Sequence, residues 1–116
     1  MNDTMLTTTV HQHTPGVTVI ELTGDVTPAV EEELMAAYEQ AGDSDAVILD
    51  FSGLEYMNSG GIGLLVTLLV RAQRDGKPLL AHGLSDHYRQ IFSLTRLDDV
   101  IALHPDRETA VAAAKG

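Results

Sequence analysis

The chain has 116 residues, a formal net charge of −10 at pH 7, 44% hydrophobic and 21% charged residues, and no cysteine. This length predicts one domain over residues 1–116, with the composition of a folded globular protein rather than a disordered or fibrous one. The lack of cysteine excludes a disulfide framework, a thiolate nucleophile and a cysteine-based zinc site. The excess of Asp and Glu over Lys and Arg, 17 against 7, opposes direct binding to nucleic acid or to anionic lipid headgroups.

The distribution of apolar residues along the chain indicates neither a targeting segment nor a membrane-spanning segment. The N-terminal sequence MNDTMLTTTVHQ has neither the basic patch nor the apolar run of a signal peptide. The longest apolar stretch, from Ile62 to Val70, is interrupted by Gly63 and Thr67 and is too short to cross a bilayer. Together with the absence of cysteine, these features predict a cytoplasmic protein without membrane insertion.

The first part of the chain predicts a hairpin followed by a helix. Two segments rich in β-branched residues, 7–10 and 17–23, flank a Pro-Gly turn, as in a β-hairpin. Thr27 followed by Pro28 is typical of a helix cap with proline at the first helical position, so a helix is expected from about Pro28. Gly42 is expected to end that helix.

Strands and helices alternate through the rest of the chain. Strands are predicted at 46–51, 79–81 and 100–103. The first of these is a nearly continuous apolar run, which is typical of a strand buried on both faces at the centre of a sheet. The long apolar segment from Ile62 to Ala72 predicts a buried helix, Ser85 is a candidate cap for another, and an Ala-rich helix is expected from about Arg107. The helical residues expected to face the core are Leu64, Leu65, Leu68, Leu69, Tyr88, Ile91, Phe92 and Leu94.

This order of elements predicts the fold class. Strands that alternate with crossover helices after an opening hairpin give an α/β fold. We therefore expect a mixed, largely parallel sheet of about five strands with about four helices.

Ser59 is the residue of this sequence that is most informative about function. It stands between a central strand and the long apolar helix, where its hydroxyl can cap a free backbone N–H of the first turn. It can also be a phosphoacceptor, because Gly60, Gly61 and Gly63 leave the neighbouring surface bare for another protein's active site. The two roles are compatible.

The motif around Ser59 resembles the STAS domain of bacterial anti-sigma factor antagonists. The resemblance covers nearly the whole chain and is most specific in Asp50-Phe51-Ser52-Gly53 followed by Met57-Asn58-Ser59-Gly60-Gly61-Ile62-Gly63. It implies a STAS-like fold that binds an ATP-dependent serine kinase acting as anti-sigma factor. It further implies that phosphorylation of a motif hydroxyl ends this binding and that a metal-dependent serine phosphatase restores it.

The resemblance also implies a partner-binding surface. Asn58 stands where the family has Asp, and Gly60 stands where it has a second hydroxyl, so Ser59 is the only motif hydroxyl and the predicted phosphorylation site. The loop Gly24-Asp25-Val26-Thr27 is similar to the family's partner-contacting loop, with Asp25 expected to be exposed. The expected partner-binding residues are Asp25, Thr27, Asn58, Ser59, Gly60, Gly61, Ile62 and Gly63.

Other functions remain as alternatives. The first is a STAS scaffold or accessory subunit of a sensory or lipid-transport complex that is never phosphorylated. For nucleotide binding, the sequence lacks the Lys-Ser/Thr that should follow the glycine-rich turn. For a serine hydrolase, it lacks the first glycine of the nucleophile elbow, because Met57 stands there. His11 and His13 permit a metal site on one strand face, although exposed imidazoles near a terminus are more often solvated. We expect no catalytic residue, metal or cofactor.

Overall fold

A computed structural model describes residues 6–116, in which strands and helices alternate from the second strand onward. The prediction that the N-terminal sequence is no signal peptide falls partly on residues 1–5, outside the described residues. The elements are β1 (Leu6–Thr14), β2 (Val17–Val26), a 3-10 helix (Pro28–Val30), α1 (Glu31–Glu39), β3 (Ala46–Met57), α2 (Ser59–Arg74), β4 (Leu79–His82), α3 (Asp86–Leu94), a second 3-10 helix (Leu97–Asp99), β5 (Ala102–His104) and α4 (Arg107–Ala114).

The strands form one sheet whose order follows the chain, β1-β2-β3-β4-β5. β1 and β2 form an antiparallel hairpin, in which Gly16 adopts a φ of 83° that a β-branched residue would not tolerate. Each of the other pairs is parallel, and the helices between the strands supply the crossovers. The predicted α/β class and the mixed, largely parallel sheet of five strands with four helices are confirmed for the described residues.

The two faces of the sheet are covered unequally. Alternate residues of β3 point to opposite faces, with Val47 and Leu49 in the larger core and Ile48 in the smaller one. The larger core includes buried side chains of α1, α2 and α3, whereas the smaller one includes those of α4 alone among the helices. The prediction that 46–51 is a strand buried on both faces is therefore confirmed.

The strands also differ in length at their carboxyl ends. β4 and β5 end at His82 and His104, which are paired in register, and Asp50 of β3 lies beside His82. β3 and its neighbour β2 continue to Met57 and Val26. Irregularities in the β2–β3 register give β3 extra residues along this part. The hairpin and β3 thus form an extension of the sheet beyond β4 and β5.

Several element boundaries differ from the predictions. β3 continues past Phe51 to Met57, because the extension supplies β2 as a hydrogen-bonding neighbour. A 3-10 helix, capped by Thr27 as predicted, precedes α1. β5 begins at Ala102 rather than at 100, because the 3-10 helix ends just before it.

One predicted core residue is wrong. Leu94 is 83% exposed, whereas Phe92 is fully buried. Residues two positions apart in a helix are separated by about 200° around its axis, so Leu94 lies opposite Phe92 on α3. The four leucines of α2 are buried as predicted. Within residues 6–116, no helix combines the length and apolar character needed to cross a membrane.

Candidate functional site

The candidate site lies where the extended strands β2 and β3 end. Both strands run in the same direction, so the turns that follow them lie at the same edge of the sheet. Val26 is paired with Met57, and the two turns begin at the next residues, Thr27 and Asn58. The structure thereby brings together the two predicted partner-binding segments, which are 30 residues apart in sequence. We call the surface of Asp25, Thr27, Ser59 and Gly63 the switch surface.

The start of α2 is capped by Asn58 and not by Ser59. The backbone of Asn58 is extended, and its Oδ1 accepts a hydrogen bond of 2.8 Å from the N–H of Gly61. Ser59 is the first residue of the helix and is exposed. The prediction of Ser59 as the cap is wrong because the strand conformation persists through position 58, where asparagine is a preferred cap. The Ser59 hydroxyl is left free of that role.

The glycines of the motif have two different functions. A Cβ on Gly61 would lie 2.7 Å from the carbonyl carbon of Val26 and closer still to its oxygen. A Cβ on Gly60 would lie 2.8 Å from Cδ of Pro28 and closer still to Cγ. Only Gly63 has nothing within 4 Å of such an atom. The expectation that all three leave a bare surface is therefore wrong for the first two, which let the β2 turn pack against α2.

The remaining predicted contact residues lie close to this junction. Thr27 Oγ1 accepts a hydrogen bond of 3.3 Å from the N–H of Ala29, and the residue is half-buried. Asp25 is a residue of β2 rather than of a loop and is also half-buried, because β3 continues beside it. The prediction that Asp25 lies exposed in a loop is therefore wrong. Ile62 is half-buried and packs against the larger core, so its side chain is only partly available to a partner.

Two tyrosines lie at this junction that the sequence did not predict as part of the site. Tyr56 is paired with Asp25 in the β2–β3 register and is 50% exposed. Tyr88 of α3 uses its hydroxyl to accept a hydrogen bond of 2.9 Å from the N–H of Met57, a group that β4 is too short to pair. The position of Tyr56 just before the motif was an available signal. No local signal links Tyr88 to a residue 31 positions away.

A second polar region lies where β4 ends, on the face covered by α4. Arg107, the first residue of α4, donates hydrogen bonds to Glu21 Oε2 at 3.0 Å and to Asp50 Oδ2 at 2.7 Å. The N–H of Ser52 donates to Asp50 Oδ1 at 2.8 Å, and His82 Nε2 lies 3.8 Å from that oxygen. We call Glu21, Asp50, His82 and Arg107 the polar clasp, since it fastens α4 to β2 and β3.

Burial and charge shift the pKa values within the polar clasp. Burial alone would raise the pKa of Asp50, but hydrogen bonds from Ser52 and Arg107 outweigh it and hold that pKa below its ordinary value. Burial lowers the pKa of His82, against the opposing attraction of the Asp50 carboxylate. Asp50 is therefore ionised and His82 neutral at pH 7.

His11 and His13, the candidate metal ligands, lie on β1, where His11 is beside Glu21 of β2. His11 Nε2 lies 3.2 Å from Glu21 Oε2, and the ring centroids of His11 and His13 are 6.4 Å apart. Within the part of the chain that the structure describes, no group of three or more His, Asp or Glu side chains is arranged to hold a metal ion. His11 therefore contacts Glu21 of the polar clasp on the surface of the sheet.

Comparison with known proteins identifies the family. Residues 10–104 match the family model described as "Mlab, STAS domain". The anti-sigma-B factor antagonist of Bacillus subtilis (strain 168) is 30% identical over 84 residues, which are 72% of this chain and 74% of that protein. The chain therefore belongs to the STAS-domain family of anti-sigma factor antagonists, as the motif predicted.

Solved structures agree with this assignment. The crystal structure of an anti-sigma factor antagonist from Mycobacterium paratuberculosis superposes with a TM-score of 0.74 and 27% identity, covering 96% of this chain and 95% of that one. The anti-sigma factor antagonist SpoIIAA in its unphosphorylated form superposes with a TM-score of 0.73 at 20% identity, over 95% of this chain and 99% of that one. The second likeness concerns the fold alone.

Proposed function

We propose that this protein binds a serine-kinase anti-sigma factor through the switch surface and that phosphorylation of Ser59 ends the binding. In this proposal the chain is a binding module without catalytic activity of its own. A metal-dependent serine phosphatase would return Ser59 to its free form. The membership of the STAS-domain antagonist family supports the partner class.

One structural observation carries the proposal for Ser59. Its side chain is exposed and does not cap the helix, since Asn58 takes that role. A kinase can therefore take the hydroxyl without removing a hydrogen bond that holds α2. The neighbouring Gly63 leaves open space one turn further along the helix, so a partner's active site can approach the hydroxyl closely.

The charge of a phosphate explains how modification would act on binding rather than on the fold. A phosphoserine carries about −1.5 to −2 charges, and the positive end of the helix dipole accommodates negative charge at this position. Asp25 and the exposed Glu31 to Glu33 at the start of α1 already make this end acidic. A partner surface that complements the acidic end would meet a bulky, hydrated group where Ser59 had been. Phosphorylation is expected to dissociate the complex while leaving the domain folded.

Mass spectrometry tests the site of modification directly. The tagged full chain is used to capture its kinase from the native host, and the pair is incubated with ATP. We expect one phosphate, on Ser59, and none on the Ser59→Ala variant. The matched control is Ser93→Ala, an exposed serine of α3 outside the motif, which should be phosphorylated like the unmodified chain. Phosphate at another residue would contradict the switch.

A second candidate function is that of a constitutive scaffold or accessory subunit. The observation that favours it is the packing of Pro28 against Gly60, which leaves no room for a second hydroxyl residue at that position. A chain that captures a partner but is neither phosphorylated nor released from it by ATP would support this alternative. Turnover of ATP or an ester by the purified chain, lost in Ser59→Ala, would contradict both.

A further inference from the structure

The outer face of α2 differs from the exposed face of an ordinary surface helix. Residues three and four positions apart in a helix lie above one another. One such row of exposed residues on α2 consists of Ser59, Gly63, Val66, Val70 and Arg74. We call this row the outer stripe, and it extends about 22 Å from the switch surface to the far end of the helix. Its middle is apolar, with Val66 41% and Val70 46% exposed, where polar residues are usual.

A groove between α1 and α2 borders the apolar part of the outer stripe. It has a volume of about 500 Å³, and its apolar lining comes from Val66, Val70 and Met35 of α1. Met35 is half-buried and packs against the larger core. Single exposed apolar side chains are normal at a protein surface, but adjacent ones beside a groove indicate an interaction site. The groove is open to solvent rather than enclosed, a shape that accepts an amphipathic helix of another protein.

The two ends of the groove carry opposite charges. Glu31 lines it at the acidic start of α1, and Arg74 lines it at the end of α2. Asp75, beside Arg74, accepts a hydrogen bond of 2.7 Å from the Tyr38 hydroxyl. Ion pairs with carboxylates are formed by Arg71, Arg89, Arg96 and Arg107. Within residues 6–116 the structure gives Arg74 no such pair. An occupant that complements both ends is basic beside Glu31 and acidic beside Arg74.

Position and charge select the kinase of the proposed function as the occupant. The outer stripe begins at Ser59, so a partner that reaches this hydroxyl lies over the first turn of α2, next to the groove. A second copy of the chain seated in the groove would cover Ser59 from the kinase, and the net charge of −10 opposes its approach. The same charge opposes an anionic lipid surface.

We infer that the serine-kinase partner lays an amphipathic helix along this groove, with aliphatic side chains on Val66 and Val70 and a carboxylate beside Arg74. The basic end of that helix lies over the acidic start of α1. The inference rests on the proposed function and adds the chemistry that the partner must carry. The groove supplies affinity and orientation through apolar burial and opposite charges at its two ends, whereas Ser59 supplies the control.

Truncation of the two valines tests the apolar contact. The double variant Val66→Ala/Val70→Ala should keep its circular dichroism spectrum, because alanine favours the helix. Its affinity for the kinase, captured from the native host and purified, should fall at least about tenfold in calorimetry. The matched control is Leu94→Ala/Val100→Ala, which truncates two exposed apolar side chains outside the groove and should bind like the unmodified chain.

Charge reversal and crosslinking test the orientation and the identity of the occupant. Arg74→Glu should weaken kinase binding about tenfold, because it brings like charges together. Arg89→Glu makes the same change in net charge on α3 and should have no such effect. The chain has no cysteine, so Val70→Cys carries a single thiol for a photo-crosslinker. That thiol should crosslink to the kinase, whereas the thiol of Leu94→Cys should not.

The variants distinguish this inference from the switch at Ser59. Binding that Ser59→Asp abolishes, but that the valine and Arg74 variants leave unchanged, would overturn the groove and keep the switch. Binding that the groove variants lose and Ser59→Asp retains would support the groove and contradict the switch. The inference also fails if the chain captures no kinase, or if the thiol at position 70 crosslinks to a second copy of the chain.

Discussion

The polar clasp and the switch surface lie on neighbouring parts of the same sheet but are held together by different kinds of contact. In the clasp, charged side chains hold one another, and the buried carboxylate of Asp50 accepts hydrogen bonds from Arg107 and from the N–H of Ser52. At the switch surface the polar side chains are exposed or half-buried, and tight packing comes from backbone atoms, through Gly60 and Gly61. Charged side chains hold the clasp together, whereas the switch surface packs tightly because its glycines have no side chains.

This difference separates stability from recognition. Asp50 is buried and Arg107 is half-buried, so loss of either one leaves the other without that counter-charge, and the clasp constrains its residues through the fold. Exposed groups such as Ser59 can change charge at little cost to folding. The two regions should therefore respond differently to substitution and to pH, and four experiments test the contrast.

The largest effect is expected in the clasp. Asp50→Ala removes the acceptor of the Ser52 N–H and one of the two acceptors of Arg107, and leaves the half-buried guanidinium without one of its two counter-charges. The free energy of unfolding should fall by about 3 kcal/mol, at the low end for buried pairs because Arg107 is partly solvated. Urea unfolding measures this, with the exposed Asp98→Ala as control. A loss no larger than that of the control would show that the clasp does not fasten α4.

A pair of glycine variants tests the backbone packing at the switch surface. Gly61→Ala places a methyl group against the Val26 carbonyl and should cost about 2 kcal/mol of unfolding free energy. Gly63→Ala meets only open space and should instead stabilise the chain by about 0.5–1 kcal/mol, because alanine favours the helix. Thermal and urea unfolding report both. Equal effects from the two substitutions would refute the division of roles among the glycines.

The cap of α2 provides a smaller and sharper test. Asn58→Ala removes the acceptor of the Gly61 N–H and should cost about 1 kcal/mol. Ser59→Ala, one residue away, should change stability by less than about 0.5 kcal/mol, since it removes an exposed hydroxyl. Urea unfolding of the two variants under the same conditions measures the difference. The reverse order would restore Ser59 as the cap.

The smallest effect concerns pH. The pKa of folded His82 lies below its ordinary value of 6.5, so the unfolded chain takes up this proton first and stability declines as pH falls below 6.5. Asp50, whose pKa lies below 3.8, adds a further loss at lower pH still. His82→Gln should flatten the first part of the profile of unfolding free energy against pH, and the exposed His87→Gln should not. An unchanged profile in His82→Gln would exclude this contribution.

Local patterns predicted the architecture because each predicted element was fixed by its own residues. The apolar run 46–51 and the Thr27 and Ser85 caps lie where the sequence placed them. Adjacent Asn58 and Ser59 are both good caps, and only the length of β3, a tertiary property, decides between them. The clasp joins residues 57 positions apart, Arg107 and Asp50, for which a single sequence has no local pattern.

For the candidate site, the motif predicted which residues lie together but not what each one does. Gly60, Gly61 and Gly63 look equivalent in sequence, and only the positions of Pro28 and Val26 separate them. The half-burial of Asp25 likewise depends on how far β3 runs beside β2. These are consequences of packing between segments, which neither composition nor periodicity encodes.

The unequal lengths of the strands have a consequence for how the protein opens. Beyond His82 and His104, the extension of β2 and β3 is no longer flanked by β4 and β5, whereas the half of the sheet under α4 is enclosed on both faces. Proteins unfold locally in cooperative units, and units with fewer neighbours open at lower free energy. The end that carries Ser59 is therefore expected to behave as a separate unit, able to loosen around a partner while the clasped half stays native.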